Sequence, residues 1–126
     1  MLAYAKGASF ERSLKKELQV KGFVVVRAAG SGVDSENPDL IALSSTKKMA
    51  FECKAWENNL RIEAEKFAKM DEWQKKTAIP IFIAWKKNYK EWKFLPLQML
   101  KKTDSNAFSA NLDDFEIAMR FEDLLL

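Results

Sequence analysis

The sequence predicts an α/β fold in which a mixed β-sheet lies between helices. Several short segments rich in β-branched and aromatic residues are bounded by turn residues, which is typical of strands. Two other stretches repeat apolar residues every third or fourth position, which indicates amphipathic helices. The predicted order, α-β-β-β-α-β-β, is buried most simply when a helix covers each face of the sheet. The chain of 126 residues has the length of one domain.

The first predicted helix spans residues 8–21, where Phe10, Leu14 and Leu18 recur at steps of four. The second spans residues 58–77 and is about four turns long by its periodicity. Its apolar residues recur at steps of three: Ala64, Phe67, Met70 and Trp73. We interpret this stripe as part of the core, with a subunit contact as the alternative.

Five segments are predicted to be strands, and two pairs of them to be hairpins. The strands are residues 23–28, 39–43, 49–56, 79–85 and 91–97. A short polar turn, "SSTKK", makes the second and third strands a hairpin, and "KKNYK" does the same for the last two. After Pro96 the signal weakens to a short strand in "AFSANL" and a helical turn or two near the end.

Composition excludes several classes of protein. The chain has no histidine, so catalytic triads that need one are impossible and zinc would lack its usual ligands. No apolar run could cross a bilayer, and the first residues lack the apolar centre of a secretory signal. The single cysteine cannot form an internal disulfide. We therefore expect a cytoplasmic protein. Its net charge is +3, and five Lys-Lys pairs are either a solvated surface or a phosphate-binding face.

Three charged residues stand where apolar residues would be expected. Glu52 and Lys54 are two positions apart in an apolar strand, so they share one face of it. The hairpin can bring Asp39 beside Glu52, and two close carboxylates need a compensating cation. Mg²⁺ accepts such ligands, with the backbone carbonyl of Cys53 completing a partial shell. The alternative is an ordinary salt bridge on an edge hairpin.

These residues resemble a known family. "PD" followed thirteen residues later by "ECK" is similar to the signature of PD-(D/E)-x-K nucleases. The stretch "KGASFERSLKKELQVKGFVVVRAAGSG", with "NPDLIAL" and "FECKAW", resembles the archaeal Holliday-junction resolvases more specifically. The resemblance implies a single nuclease domain over residues 1–126, with a restriction-endonuclease-like core at 6–97 that segment 98–126 completes.

The resemblance also implies an activity and a role for each matching residue. It implies a homodimeric, Mg²⁺-dependent endonuclease that cuts four-way DNA junctions by paired nicks, with Mn²⁺ able to substitute. The implied catalytic residues are Glu11, Ser31, Asp39, Glu52 and Lys54. The implied metal ligands are Asp39, Glu52, Glu11 and the backbone carbonyl of Cys53. The implied DNA-binding residues are Arg12, Arg27, Lys86 and Lys87. The loop before Asp39 carries Asp34 and Glu36 where the resemblance would lead one to expect a more basic loop. We therefore expect weaker contacts between this loop and DNA.

Each assignment has a structural alternative. Glu11 can pair with Lys15 one helical turn later, and Arg27 can form a surface salt bridge. Ser31 is of a type common in loops, and Cys53 points away from the charged face as a small buried residue. For the whole chain, the alternatives are a catalytically silent DNA-binding protein of the same fold, or a nuclease specific for a mismatch, flap or duplex.

Overall fold

The computed structural model describes residues 3–28 and 37–126, with side chains from residue 9 onward. The helices are α1 Ala3–Val20, α2 Ala64–Thr77, α3 Leu112–Ile117 and α4 Phe121–Leu124, with a 3₁₀ turn at Leu97–Met99. The strands are β1 Val24–Arg27, β2 Leu40–Leu43, β3 Lys48–Lys54, β4 Leu60–Glu63, β5 Ile81–Trp85, β6 Lys93–Pro96, β7 Lys101–Lys102 and β8 Ala107–Ala110. No helix in this part of the chain is long and apolar enough to cross a membrane.

A five-stranded mixed sheet forms the centre of the fold, in the order β1-β2-β3-β5-β6. Both predicted hairpins are confirmed: β2 pairs antiparallel with β3, and β5 with β6. The pairing of β3 with β5 is parallel, and α2 lies in the connection between them. A parallel pair needs such a crossover because the chain must return to the end of the sheet where the first strand began.

The two faces of the sheet are covered by different helices. Leu14 and Leu18 of α1 pack in one cluster, together with Phe51. Met70 of α2 packs in the other cluster, together with Ala50. Because neighbouring residues of a strand point to opposite faces, Glu52 lies on the α2 side and Cys53 on the α1 side. The predicted α/β fold with a helix on each face is confirmed.

One prediction about the second helix was wrong. The helix begins at Ala64, and residues 60–63 form β4 instead of its first turn. Leu60 and Ile62 are buried while Arg61 and Glu63 are exposed, which is the two-residue period of a strand. β4 pairs with β8 in a second sheet of order β4-β8-β7, and the short strand predicted in "AFSANL" is therefore confirmed.

The apolar stripe on α2 belongs to the core. Met70 is buried, and Phe67 and Trp73 pack against the cluster on the α2 side. Phe67 also stacks on Phe108 of the second sheet, with 3.7 Å between the ring centroids. Stacked aromatic pairs add stability beyond the area that they bury. The second sheet and α2 therefore form one packed layer over the central sheet.

Candidate active site

The β2–β3 hairpin brings Asp39 against the middle of β3. Asp39 directly precedes β2, and its Oδ2 accepts the backbone N–H of Cys53 at 2.8 Å. The backbone carbonyl of Asp39 also accepts the N–H of Ala28 at 3.0 Å, which fixes it to the end of β1. These two hydrogen bonds hold Asp39 from both sides, beside Glu52.

Glu52 is a buried acid with one satisfied and one unsatisfied oxygen. Its exposure is 3%, the result of its place on the α2 face of a central strand. Oε2 lies 2.9 Å from Nζ of Lys66 and 3.8 Å from Nζ of Lys54. Oε1 is buried and has no hydrogen-bond partner among the described residues. A buried carboxylate oxygen without a partner carries a desolvation cost that a cation would offset.

Lys54 lies between Glu52 and an indole ring. Its Nζ is 5.5 Å from the ring centroid of Trp56, on the face of the ring. The carbonyl of Trp56 accepts the indole N–H of Trp85 at 2.8 Å, and Trp85 is fully buried. An ammonium over an aromatic face is attracted to it. The segment after β3 is therefore anchored to the core while it supports the lysine of the motif.

The pKa of Asp39 reflects this crowding. Burial raises the pKa of Asp39 from 3.8 to about 7, and the charge on Glu52 acts in the same direction. The N–H donated by Cys53 and the charge on Lys54 lower the pKa, but by less. Burial likewise raises the pKa of the Cys53 thiol well above 9, which leaves the thiol protonated. The side chain is only partly buried, and it packs against the α1-side cluster as a small apolar residue. Burial and the neighbouring carboxylate therefore dominate the electrostatics of Asp39.

Glu11 approaches the site from the opposite face of the sheet. It accepts a 3.3 Å hydrogen bond from Nε of Arg27, so its partner is Arg27 and not Lys15. The charge on Glu11 still acts on Asp39, where it raises the pKa. Among the described side chains, no three acidic, cysteine or histidine groups come close enough to form a ready metal cluster. The predicted ligand Glu11 therefore acts on Asp39 through its charge and not through a shared cluster of ligands.

The other predicted DNA-binding residues lie on α1 and after β5. Arg12 is exposed on α1. Lys86 bonds the carbonyl of Lys90 with its ammonium, while Lys87 lies over the ring of Phe115, 5.0 Å from its centroid. Lys86 is tied to the site through its backbone, since its N–H donates to the carbonyl of Lys54 at 2.9 Å. Ser31 lies outside the described residues.

Two residues at the site were missed by the sequence analysis. Lys66 is on α2, and Trp56 follows the motif by two positions. The only signal for Trp56 was its closeness in sequence to Lys54. No local pattern points to Lys66, because its contact with Glu52 depends on how the crossover helix is placed over β3.

Comparison with known proteins decides the family. The family model described as archaeal Holliday junction resolvase (Hjc) matches residues 2–126. The chain belongs to the archaeal Holliday junction resolvase family. The resemblance drawn from "NPD" and "ECK" is therefore confirmed over nearly the whole chain.

Curated relatives of the family carry the name crossover junction endodeoxyribonuclease Hjc. The relative from Sulfolobus acidocaldarius is 32% identical over 124 residues, which cover 95% of this chain and 86% of the relative. The relative from Archaeoglobus fulgidus is 32% identical over 125 residues, 93% of this chain and 92% of its own. The solved structure of Archaeoglobus fulgidus Hjc, titled a Holliday junction resolvase, superposes with a TM-score of 0.84. It has 26% identity and 94% coverage of both chains.

Proposed function

We propose that this chain is a divalent-metal-dependent endonuclease that cuts four-way DNA junctions by hydrolysis of phosphodiester bonds. Membership of the resolvase family supports the substrate and the reaction. The observation that carries the chemistry is the placement of Asp39 beside Glu52, joined through the Cys53 backbone, with Oε1 of Glu52 buried and unpartnered. Such a reaction belongs to DNA recombination and repair.

The donor set suits a hard divalent cation. Carboxylate oxygens of Asp39 and Glu52 and the carbonyl of Cys53 would hold it, with Mg²⁺ as the proposed ion and Mn²⁺ as a substitute. The raised pKa of Asp39, caused by burial and by the charge on Glu52, and the unpartnered oxygen of Glu52 both indicate that a further cation beside the two acids would be stabilised. When bound, the ion supplies Lewis-acid stabilisation for the charge that develops on the phosphoryl group.

Lys54 is proposed to act on the phosphate and the attacking water. Its ammonium has three N–H donors. The distance of 3.8 Å to Oε2 of Glu52 is too long for a hydrogen bond, so this ion pair leaves the donors available for the substrate. Trp56 limits its movement from the other side. A donor held in place in this way can stabilise a developing oxyanion without reorganising during the reaction.

Four-way junctions are proposed to be recognised by shape, through phosphate contacts. Arg12 and Arg27 lie on the α1 side of the site, and Lys86 and Lys87 follow β5. Phosphate contacts give affinity without reading the base sequence. Ser31 is proposed to lie near the scissile phosphate, as the resemblance implies.

A homodimer is proposed because a junction has two strands to cut at symmetric positions. The α2-side face of the sheet continues past the helix onto the edge strand β1, where Val24 and Val26 are 66% and 48% exposed. Val26 pairs with Ile41, which packs against the α2-side cluster. A second copy of the chain placed here would bury this apolar edge and continue the core.

A nicking assay on a synthetic four-way junction tests the function. The parent should cut when Mg²⁺ is added and stop when a chelator is added, and a matched linear duplex should compete poorly. Glu52→Gln should abolish cutting. Glu65→Gln is the matched control, because Glu65 is an exposed glutamate of α2 that pairs with Lys69 at 3.7 Å. Junction binding without Mg²⁺-dependent cutting by the parent would instead assign a silent binding protein.

A further inference from the structure

We propose that Lys66 is a resident cation of the active site, which offsets the buried charge of Glu52 and lowers the affinity of the site for the divalent ion. The inference rests on the proposed metal-dependent function. It assigns to the crossover helix α2 a part in the chemistry of β3, although the motif residues all lie on the hairpin.

The contact between Lys66 and Glu52 is the closest charge pairing in the site. Nζ of Lys66 lies 2.9 Å from Oε2 of Glu52, whereas Nζ of Lys54 is 3.8 Å from the same oxygen. A carboxylate that is 3% exposed needs a partner, because burying an unpaired charge costs several kcal/mol. Lys66 therefore supplies the main compensation for Glu52.

Lys66 can also give up this position. Its side chain is 42% exposed, so its stem reaches over the surface of α2 and its ammonium is partly hydrated. Burial lowers the pKa of Lys66, but the charge and hydrogen bond of Glu52 outweigh burial and raise the pKa above 10.5. The ammonium is thus charged at neutral pH, and it can turn towards solvent without the burial cost that Glu52 would meet.

A divalent ion and Lys66 compete for one carboxylate. Both need the oxygens of Glu52, and two positive charges a few ångströms apart repel each other even in a well-screened site. Removing the ammonium should therefore strengthen ion binding. It should also lower the free energy of unfolding when no ion is present, because the ion pair that then remains for Glu52 among the described residues is the longer one with Lys54.

The test measures Mn²⁺ affinity and thermal stability without DNA. Lys66→Gln removes the charge but keeps a hydrogen-bond donor, and Lys66→Met removes both. Lys66→Arg keeps the charge. Lys69→Gln is the matched control, since Lys69 is on the same helix and pairs with exposed Glu65. Mn²⁺ binding is titrated by calorimetry, and melting is followed in chelator and in Mn²⁺.

Both neutral variants should bind Mn²⁺ about tenfold more tightly than the parent, a change of about 1.4 kcal/mol. Their melting temperature in chelator should be lower than that of the parent, and Mn²⁺ should raise it by more. The Lys66→Arg and Lys69→Gln variants should match the parent. Unchanged or weaker Mn²⁺ binding by Lys66→Gln, or unchanged melting of Lys66→Met in chelator, overturns the inference.

Failure of this inference is distinguishable from failure of the proposed function. A Glu52→Gln variant is titrated in parallel. If it loses Mn²⁺ binding while Lys66→Gln binds as the parent does, the metal site stands and the role of Lys66 is wrong. If the parent itself binds no Mn²⁺, the metal site is wrong and the inference falls with it.

Discussion

The backbone N–H of Cys53 donates a 2.8 Å hydrogen bond to Oδ2 of Asp39, which fastens the start of β2 to the centre of β3. The pairing of Leu40 with Phe51 sets Asp39 beside Glu52 at the same end of the hairpin. The bond also explains how a single hairpin can hold two acids together, because the backbone of β3 donates to the acid that precedes β2. The unfavourable effects that remain, burial and the charge on Glu52, raise the pKa of Asp39.

Replacing Asp39 by Asn should abolish cutting but preserve binding. The Asn carbonyl can still accept the N–H of Cys53, so the fold is retained, whereas the charge that would hold a divalent ion is lost. We expect junction affinity within about tenfold of the parent, or about 1.4 kcal/mol. Nicking and gel-shift assays measure the two effects. Asp104→Asn, an exposed turn residue, is the control. Cutting by Asp39→Asn at the parent rate would contradict the site.

Stability in chelator should fall as pH rises from about 5 to about 8. The folded-state pKa of Asp39 is raised to about 7, so the folded chain keeps a proton that the unfolded chain has lost. This stabilising contribution is complete below the unfolded pKa and disappears as pH rises through about 7, a loss on the order of 2 kcal/mol. Cys53 and Lys66 have raised pKa values above this range.

Denaturant melts of the parent and of Asp39→Asn across this pH range measure the contribution. The Asn variant should lose distinctly less stability between the two ends, because it has no proton to lose. Parallel curves for the two proteins would mean that Asp39 titrates at its ordinary value.

Replacing Trp85 by Phe should cost more than replacing Trp92 by Phe. Both indoles are buried, but Nε1 of Trp85 donates to the carbonyl of Trp56 at 2.8 Å, while Nε1 of Trp92 has no partner among the described residues. Trp85→Phe loses a hydrogen bond and leaves a carbonyl unsatisfied, an excess of about 1–3 kcal/mol. Urea unfolding gives both values, and equal costs would remove the anchoring role assigned to this bond.

Replacing Val26 by Asp should convert a dimer into a monomer. A charge on the exposed sheet face would be buried without a partner in the proposed contact. Val20→Asp is the control, since Val20 is 83% exposed but lies on α1, away from this face. Analytical ultracentrifugation gives the mass of each variant. If Val26→Asp stays dimeric, the contact lies elsewhere on the chain.

Replacing Arg12 by Gln should weaken junction binding and reduce its salt dependence. Each phosphate contact that is lost lowers the slope of log affinity against log salt by about one. Arg61→Gln is the matched control, because Arg61 is an exposed arginine already held by Glu63 at 3.2 Å and by Ser105 at 2.7 Å. Equal salt slopes for the parent and Arg12→Gln would exclude a phosphate contact.

The parts of the fold that sequence predicted were those encoded by neighbours in the chain. The hairpin that joins Asp39 to Glu52 needs only a short polar turn, so alternation and turn residues were enough. β4 was missed because four residues fit a helical and a strand period about equally well, and its partner β8 is far along the sequence. Lys66 was missed for a similar reason, since its contact with Glu52 is set by tertiary packing.

The parallel pairing of β3 with β5 has a kinetic consequence. The β2–β3 hairpin closes over a short turn, whereas β5 can join only after the chain has looped through β4 and α2. Long-range pairings of this kind form slowly, because the entropy of the loop is lost before any contact is gained. We expect the hairpin to bring Asp39 and Glu52 together before the crossover delivers Lys66, so that the barrier to folding contains an electrostatic repulsion that Lys66 partly offsets in the native state.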